Sequence, residues 1–351
     1  MVSNKSLVFK AVPSGYPVPG KDLVVEESQF DENQSAPSGG VTVKYNYFSF
    51  DPYMRGRMRP ADVKSYAPPF DLGKPITSRG IATVLKSDND KYKSGDLVIG
   101  NMVSVREYDA LNKDSVDNLI QPLENPHKID PKVFLGALGM PGLTAYSSLY
   151  DIGKPKKGEV IFISSAAGAV GQLVGQIAKH EGLKVIGSAG EDEKIEFITK
   201  ELGFDGAFNY KKEKTGDALK RLAPDGIDIY YENVGGETLE DAITALNVKG
   251  RIVACGMISQ YNLAPEEAYG VKNLMMFVAK RLEMRGFIVG DKDMGPVYAA
   301  DHQKNVQKWI AEGQFKPKSF ETVGMDNAPE GLVGIFKGKN FGKAILTLAK
   351  L

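Results

Sequence analysis

Through the first third of the chain, apolar and polar positions alternate. Val41, Val43, Tyr45 and Tyr47 are separated by Thr42, Lys44 and Asn46, the period of a strand with one buried face. Shorter runs at 81–85 and 97–99 predict further strands, set apart by polar turns such as Asp88-Asn89-Asp90. The stretch 51–73 holds Pro52, Pro60, Pro68 and Pro69 with three arginines and reads as a long loop, because proline breaks both helix and strand. From about Pro131 the texture changes to short apolar runs alternating with helix-like segments, the mark of a parallel sheet with crossover helices. Six strands are predicted there, at 159–164, 184–188, 207–209, 227–231, 251–255 and 285–289. Helices at 169–180, 191–202, 215–223 and 237–246 separate the first five. After about Asp301 come a helix around Trp309, a turn at 313–317 and a strand at 344–348, which we assign to the first domain.

The pattern therefore predicts an α/β chain of two domains, and 351 residues are too many for one ordinary core. Residues 1–130 and 302–351 form the β-rich domain, and 131–301 form the doubly wound parallel-sheet domain. With 44 basic and 44 acidic residues, no net field draws the protein to nucleic acid or to an anionic membrane, and neither is an expected partner. The sequence has no signal-peptide-like run at its start and no stretch long enough to span a bilayer, so an intracellular location is expected. Asn33-Gln34-Ser35 then reads as an ordinary polar loop rather than a glycosylation site. Cys255 is the single cysteine, which excludes an internal disulfide and a four-cysteine zinc site. The three histidines, His127, His180 and His302, lack metal-ligand spacing, so no metal is expected.

Candidate chemistry begins at Ser165-Ala166-Ala167-Gly168-Ala169-Val170-Gly171, which joins the first strand of the parallel sheet to its helix. Small residues there let a dinucleotide pyrophosphate approach backbone N–H groups and the helix dipole. The usual first glycine is replaced by Ala166, which leaves Gly168 for close contact and Gly171 for packing helix on strand. The second strand ends in Gly187-Ser188-Ala189-Gly190, without the carboxylate that an NAD site uses on the ribose. Lys194, four residues beyond Gly190, can pair with a 2′-phosphate, so NADPH is favoured; the plainer reading is a solvated lysine among Glu191, Asp192 and Glu193.

With those residues in view, the chain resembles the medium-chain dehydrogenase/reductase superfamily, in its zinc-free branch of alkenal double-bond reductases and prostaglandin reductases. The resemblance runs nearly end to end. It is carried by Asp51-Pro52-Tyr53-Met54-Arg55-Gly56-Arg57-Met58, Gly139-Met140-Pro141-Gly142-Leu143-Thr144-Ala145-Tyr146, the loop 166–171, Asn233-Val234-Gly235-Gly236 and Gly338-Lys339-Asn340-Phe341-Gly342-Lys343. Where zinc-dependent relatives carry Gly-His-Glu, this chain runs Ile76-Thr77-Ser78-Arg79-Gly80. The resemblance implies a GroES-like catalytic domain built from both chain ends, a Rossmann domain, a cleft where they meet, and commonly a homodimer. It places the pyrophosphate on Ala166, Ala167, Gly168, Ala169 and Val170, with the 2′-phosphate at Gly190, Lys194 and Tyr210. Pro52, Asn233, Cys255, Gly256 and Asn340 would line the rest of the cofactor, and Phe287, Ile288 and Val289 would sit beside the nicotinamide amide. Cys255 reads equally well as a small apolar residue ending a strand and receives no catalytic role.

The activity so implied is NADPH-dependent reduction of the double bond of an α,β-unsaturated aldehyde or ketone, with hydride going to the β-carbon. Negative charge then gathers on the carbonyl oxygen, where a hydrogen-bond donor stabilises it. Two tyrosines fall at the family's substrate positions, Tyr261, past the fifth strand of the parallel sheet, and Tyr53, in the proline-rich loop; Tyr261 is the first choice. Tyr146 is expected to pack at the domain junction. Arg55, Arg57 and Arg59 could steer an anion, but solvated loop charges are the plainer expectation. Two other readings remain: a quinone oxidoreductase of the same superfamily, and a non-catalytic NADPH-binding sensor. Cytoplasm is the expected compartment, with the peroxisome as alternative because Ala349-Lys350-Leu351 resembles a peroxisomal address.

Overall fold

An antiparallel hairpin opens the chain, β1 (Val2–Phe9) with β2 (Leu23–Phe30). Its inner ends bury Leu7, Phe9 and Leu23, while residues 26–29 of β2 stay in solvent. β3 (Val41–Ser49) is buried almost throughout because it is a central strand. It pairs antiparallel with β4 (Thr77–Ser87), β4 with β5 (Leu97–Ser104), and β5 with β7 (Ile120–Pro122), while β6 (Tyr108–Leu111) adds to one end of β3. The proline-rich loop after β3 contains one short helical turn, α1 (Met54–Arg57), which turns Met54 into the core; Met58, just past it, is buried as well. Helix α2 (Lys113–Leu119) is capped by the Asn112 side chain, which accepts from Ser115 N–H.

A second compact unit spans Gly136–Lys318. Helix α3 (Met140–Ser148) leads to β8 (Val160–Ile163), α4 (Gly171–His180), β9 (Lys184–Ala189) and α5 (Asp192–Glu196), which continues through a wider turn at Phe197–Glu201. There follow β10 (Gly206–Asn209), α6 (Thr215–Leu222), β11 (Ile227–Glu232), α7 (Gly236–Ala245), β12 (Leu246–Ala254), α8 (Met275–Lys280), β13 (Glu283–Gly286) and α9 (Gly295–Ala311). The six strands are all parallel in the order β10-β9-β8-β11-β12-β13, the doubly wound order in which a ligand crevice forms where direction reverses, at β8 and β11. Phe162, Ile186, Tyr230 and Ile252 on the inner strands are fully buried, as a sheet covered on both faces requires.

Two expectations are corrected here. The last strand ends at Gly286, so Phe287, Ile288 and Val289 lie beyond it; their apolar run resembles a strand, yet Val289 O instead accepts from Gly295 N at the start of α9. The expected boundary at 301/302 would cut α9, whereas the units divide between Lys318 and Ser319. The helix stays with the second unit because His302 Nε2 meets Ala137 O at 2.8 Å and Asn305 donates to the Tyr146 hydroxyl at 2.8 Å. Tyr146 packs there among Tyr150, Tyr298, His302 and Trp309, inside the second unit.

The chain then completes the first unit, Met1–Leu135 with Ser319–Leu351, through β14 (Ser319–Val323), α10 (Ala328–Phe336) and β15 (Lys343–Thr347). β15 lies antiparallel to β3 and parallel to β14, which gives a seven-stranded sheet. The structure thus describes all 351 residues in this computed structural model. At the junction of β3 and β15, Lys343 Nζ meets Asp51 Oδ1 at 2.7 Å, with side chains 3% and 6% exposed, and also donates to Phe50 O. Past β15, the N–H groups of Leu348 and Ala349 both donate to Asn46 O.

Removing one member of a buried pair strands the other charge. Lys343→Met is expected to cost about 3–5 kcal/mol of first-unit stability, read as a lowered urea midpoint by circular dichroism. The double variant Asp51→Asn with Lys343→Met should recover part of that loss, because no unpaired charge remains.

Candidate active site

The loop after β8 is built by close packing of small residues. Ala166 N–H donates to Ser188 O at 2.8 Å, which ties the loop to β9, and Ser165 takes a left-handed φ of 52°. Gly171 opens α4 so tightly against the loop that an added Cβ would strike the Ser165 carbonyl and sit 2.8 Å from Ala166 Cα. Ala166 itself fits because its neighbour on β9 is Gly187, where a Cβ would come within 2.7 Å of the Ala166 methyl. The alanine at the fingerprint's first glycine position is thus balanced by a glycine on the adjacent strand. Internal bonds use the amides of Gly168 and Gln172, while Ala169, Val170 and Gly171 present theirs where α4 begins. An anion suits that position.

At the ends of β9 and β10, Lys194, Tyr210 and Lys211 stand beside two acids, Glu191, which pairs with Lys194, and Asp192, which accepts from Asn209 Nδ2 and pairs with Lys212. Gly190 lies under Tyr210, whose hydroxyl would be 2.8 Å from a Cβ there and whose neighbour Lys211 would be 3.1 Å away. Lys194 is not the solvated lysine of the plainer reading: its side chain is only 8% exposed and lies 3.3 Å from Glu191 Oε2. Ser188 is buried and carries no charge. This set fits a 2′-phosphate.

Glu232, which ends β11, was not singled out in the sequence. It is fully buried, and its Oε1 accepts from the Tyr230 hydroxyl at 2.8 Å, Val234 N at 2.6 Å and Gly235 N at 2.8 Å. Burial pushes its carboxyl up, and those donors pull it part of the way back. Beside it, Asn233 donates through Nδ2 to Ser164 O at 2.8 Å, and its N–H donates to Ser164 Oγ at 3.0 Å. The turn 232–235 is thereby fastened to the end of β8. A carboxylate closing a predicted core strand, directly before Asn233-Val234-Gly235-Gly236, was the signal available for it.

Beyond β12, the N–H groups of Cys255 and Gly256 both reach Glu232 O at 3.0 Å. Burial pushes the Cys255 thiol up to about 12. Tyr261 folds back over this turn, where Met257 N–H donates to its hydroxyl at 3.3 Å and a Cβ on Gly256 would lie 2.9 Å from that oxygen. Asn233, Cys255, Gly256 and Tyr261 are therefore brought together, all at the C-terminal ends of β11 and β12. Phe287, Ile288 and Val289 follow β13 as half-buried residues.

In the first unit, Asp51 holds the start of the loop, accepting from Ser49 Oγ and from Lys343. Pro52 is exposed, and Tyr53 packs half-buried against the core. Burial and the Asp51 charge push the Tyr53 phenol up to about 12, so it stays protonated at neutral pH. The positive charge of Arg57 works against that rise. Asn340 Nδ2 donates to Gly342 O at 2.8 Å, in the loop that ends at Lys343. The expectation of solvated arginines is overturned. Arg57 is 2% exposed, stacks 4.1 Å over Phe70, and donates to Pro68 O, Thr77 O and Thr77 Oγ1. Arg55 donates to Gly15 O and Arg59 to Val63, Gly56 and Ala67 carbonyls. All three staple the proline-rich loop, whose backbone has no sheet to pair with. No three His, Cys, Asp or Glu side chains converge where a metal ion could sit.

The chain is similar to known oxidoreductases along its whole length. Residues 5–119 match the family model described as N-terminal domain of oxidoreductase, and 169–305 match the one described as zinc-binding dehydrogenase. The chain is 55% identical over 351 residues to the NADP-dependent oxidoreductase RED1 of Cochliobolus heterostrophus, covering 100% of this chain and 99% of the relative. It is 43% identical to the NADP(+)-dependent 2-alkenal reductase of Nicotiana tabacum, covering 99% and 98%. The crystal structure of CurA from Vibrio vulnificus in complex with NADPH superposes with a TM-score of 0.87 at 32% identity, covering 99% and 100%.

With its thiol held up to about 12, Cys255 is a neutral thiol at neutral pH. Iodoacetamide at pH 7.5 is expected to leave the folded protein unlabelled and to label it fully in denaturant, as read by intact mass spectrometry.

Proposed function

The chain belongs to the medium-chain dehydrogenase/reductase superfamily, in its zinc-independent, NADPH-dependent branch of alkenal and curcumin reductase type, and on that premise we propose that it reduces the carbon–carbon double bond of α,β-unsaturated aldehydes and ketones. The observation that carries this reading is Tyr261, a phenol fixed over the Gly256–Met257 turn at the C-terminal end of the parallel sheet. A neutral hydroxyl placed there suits a carbonyl oxygen that gains charge as hydride arrives.

NADPH, when bound, supplies the hydride to the β-carbon of the substrate. On this reading the residues 166–171 hold its pyrophosphate on the amides at the start of α4, and Lys194, Gly190 and Tyr210 receive the 2′-phosphate. Glu232 acts through the turn it fastens, keeping Asn233, Cys255 and Gly256 in register beside the cofactor. Phe287, Ile288 and Val289 would border the nicotinamide amide. Tyr261 donates to the substrate oxygen and stabilises the enolate. Tyr53, in the first unit, is a second phenol of the kind this chemistry uses. A proton delivered to the α-carbon, from solvent or from a nearby group, completes the reduction.

We also propose a homodimer formed through the second unit. Strand β13 pairs only with β12, its four residues are all exposed, and nearby Leu274, Met275 and Val278 are 57%, 74% and 69% exposed. An open edge beside an apolar patch of this kind suits pairing with the same strand of a second copy.

NADPH consumption against 2-alkenals, enones, quinones and saturated aldehydes, with products identified by mass spectrometry, tests the activity. Saturated aldehydes and ketones are the expected products from the alkenals and enones, at rates with NADPH well above those with NADH. Tyr261→Phe should lower kcat about 10²–10³-fold, as loss of an oxyanion donor does, and Lys194→Ala should narrow the gap between the two cofactors. Turnover of quinones alone would overturn the reading. Sedimentation velocity is expected to show a dimer that Val278→Asp converts to monomer.

A further inference from the structure

Helix α4 begins at the cofactor loop, and one stripe of it is polar. Gln172, Gln176 and His180 recur at every fourth position and so share a face. Gln172 and Gln176 are only 2% and 5% exposed, so their amides are satisfied within the fold. Their partner is the segment 315–318, which follows α9 and ends the second unit at Lys318. It runs back along α4 from one end to the other. The Phe315 and His180 rings lie 6.5 Å apart, and Lys316 N–H donates to Gln176 Oε1 at 2.7 Å. Lys318 meets Gln172 twice, its N–H donating to Oε1 and its carbonyl accepting from Nε2, both at 2.9 Å.

The spacing of the two partners is matched. Two residues of extended chain advance about 6.6 Å and four residues of helix about 6 Å, so alternate residues of the segment keep step with every fourth residue of α4. Pro317, between the two bonded residues, has no N–H to leave unpaired and holds Lys316 extended. Gln176 is itself fixed, its Nε2 donating to Gln172 O at 3.0 Å.

This track ends at the cofactor loop. Gln172 N–H donates to Gly168 O at 3.1 Å, so the loop 165–171 sets where its amide stands. Lys318 also reaches the element that carries Lys194. Its Nζ lies 4.8 Å from the centre of the Phe197 ring, three residues beyond Lys194 in the continuation of α5. The last residue of the second unit is thus held by both of the helices whose first turns suit the dinucleotide's phosphates.

We propose that Gln172 is a positioning residue that couples the dinucleotide to this segment. NADPH, by fixing the loop, tightens the hold on Lys318, and the hold on Lys318 tightens NADPH by the same factor. The inference rests on the cofactor placement given above and adds a residue that acts through the loop.

Hydrogen exchange at single amides of the full-length protein, with and without saturating NADPH, tests it. NADPH should slow Lys316 and Lys318 about tenfold, a typical coupling between sites, while Phe315, whose N–H donates to Trp309 O instead, changes less. Reciprocity then sets the size of the effect in variants, read as NADPH Kd by isothermal titration calorimetry. Gln172→Leu, which keeps the volume without the amide, should raise Kd by the factor by which NADPH slows Lys318 in the wild type. Lys318→Pro removes the N–H without altering α4 and should raise Kd as well, by no more than that factor. No slowing of Lys316 and Lys318 when NADPH binds overturns the proposal and needs no variant to fold. Equal slowing of Phe315 also overturns it, because the ligand then stabilises the unit as a whole. An unchanged Kd in both variants overturns it too, by leaving Gln172 a purely structural part. A wild-type protein that does not bind NADPH overturns the cofactor placement along with it.

Discussion

Lys343 and Asp51 stand at opposite ends of the chain and 2.7 Å apart in the fold, almost wholly removed from water. Taking two charges out of water costs several kcal/mol per ion, and the cost is offset only where every donor and acceptor finds a partner. Here the ammonium has Phe50 O as well as the carboxylate, and the carboxylate has Ser49 Oγ as its second partner. That satisfied cluster fixes where β3 ends, where the loop bearing Pro52 and Tyr53 begins, and where the loop bearing Asn340 stops.

The second unit reaches its precision by a different route. Its loop and turns are set by volume rather than charge: Ala166 against Gly187, Gly171 against the Ser165 carbonyl, Gly256 under the Tyr261 hydroxyl. The fully buried Glu232 receives four hydrogen bonds on a single oxygen, from Ser164, Tyr230, Val234 and Gly235, and so holds the turn that carries Asn233. A small residue in place of a large one lets the backbone come close, and a buried carboxylate then locks the approach.

Much of this was legible in the sequence where a single physical rule dominates. The apolar runs of β8, β9, β11 and β12 lie close to where they were expected, because strands buried on both faces have little else to be. The loop 165–171 announced itself through its small residues in a strand-to-helix setting. Legibility failed where an outcome depends on what lies across the fold. Phe287, Ile288 and Val289 have the composition of a strand, but an outer strand has a neighbour on only one side and ends sooner. Nothing local distinguishes Arg57, buried and fully used, from Arg59 on the loop surface. The boundary after α9 depends on His302 and Asn305 finding partners some 160 residues earlier, which periodicity does not encode. The hairpin β1–β2, with its outer half in solvent, lacks the alternation that revealed β3.

Because β15 closes the sheet against β3, the first unit is finished only when the last part of the chain arrives. During synthesis at roughly 5–20 residues per second, the whole of Gly136–Lys318 is made while the Tyr47–Ser49 end of β3, beyond the part that β6 covers, waits unpaired on one edge. The second unit has all of its strands by then and is free to fold first. The N-terminal segment meanwhile carries an unpaired, apolar strand edge for some tens of seconds, and Asp51 sits there without its lysine. On the ribosome this protein is therefore a folded nucleotide-binding unit trailing an incomplete sheet. Its demand for chaperone protection falls on the segment that was made first.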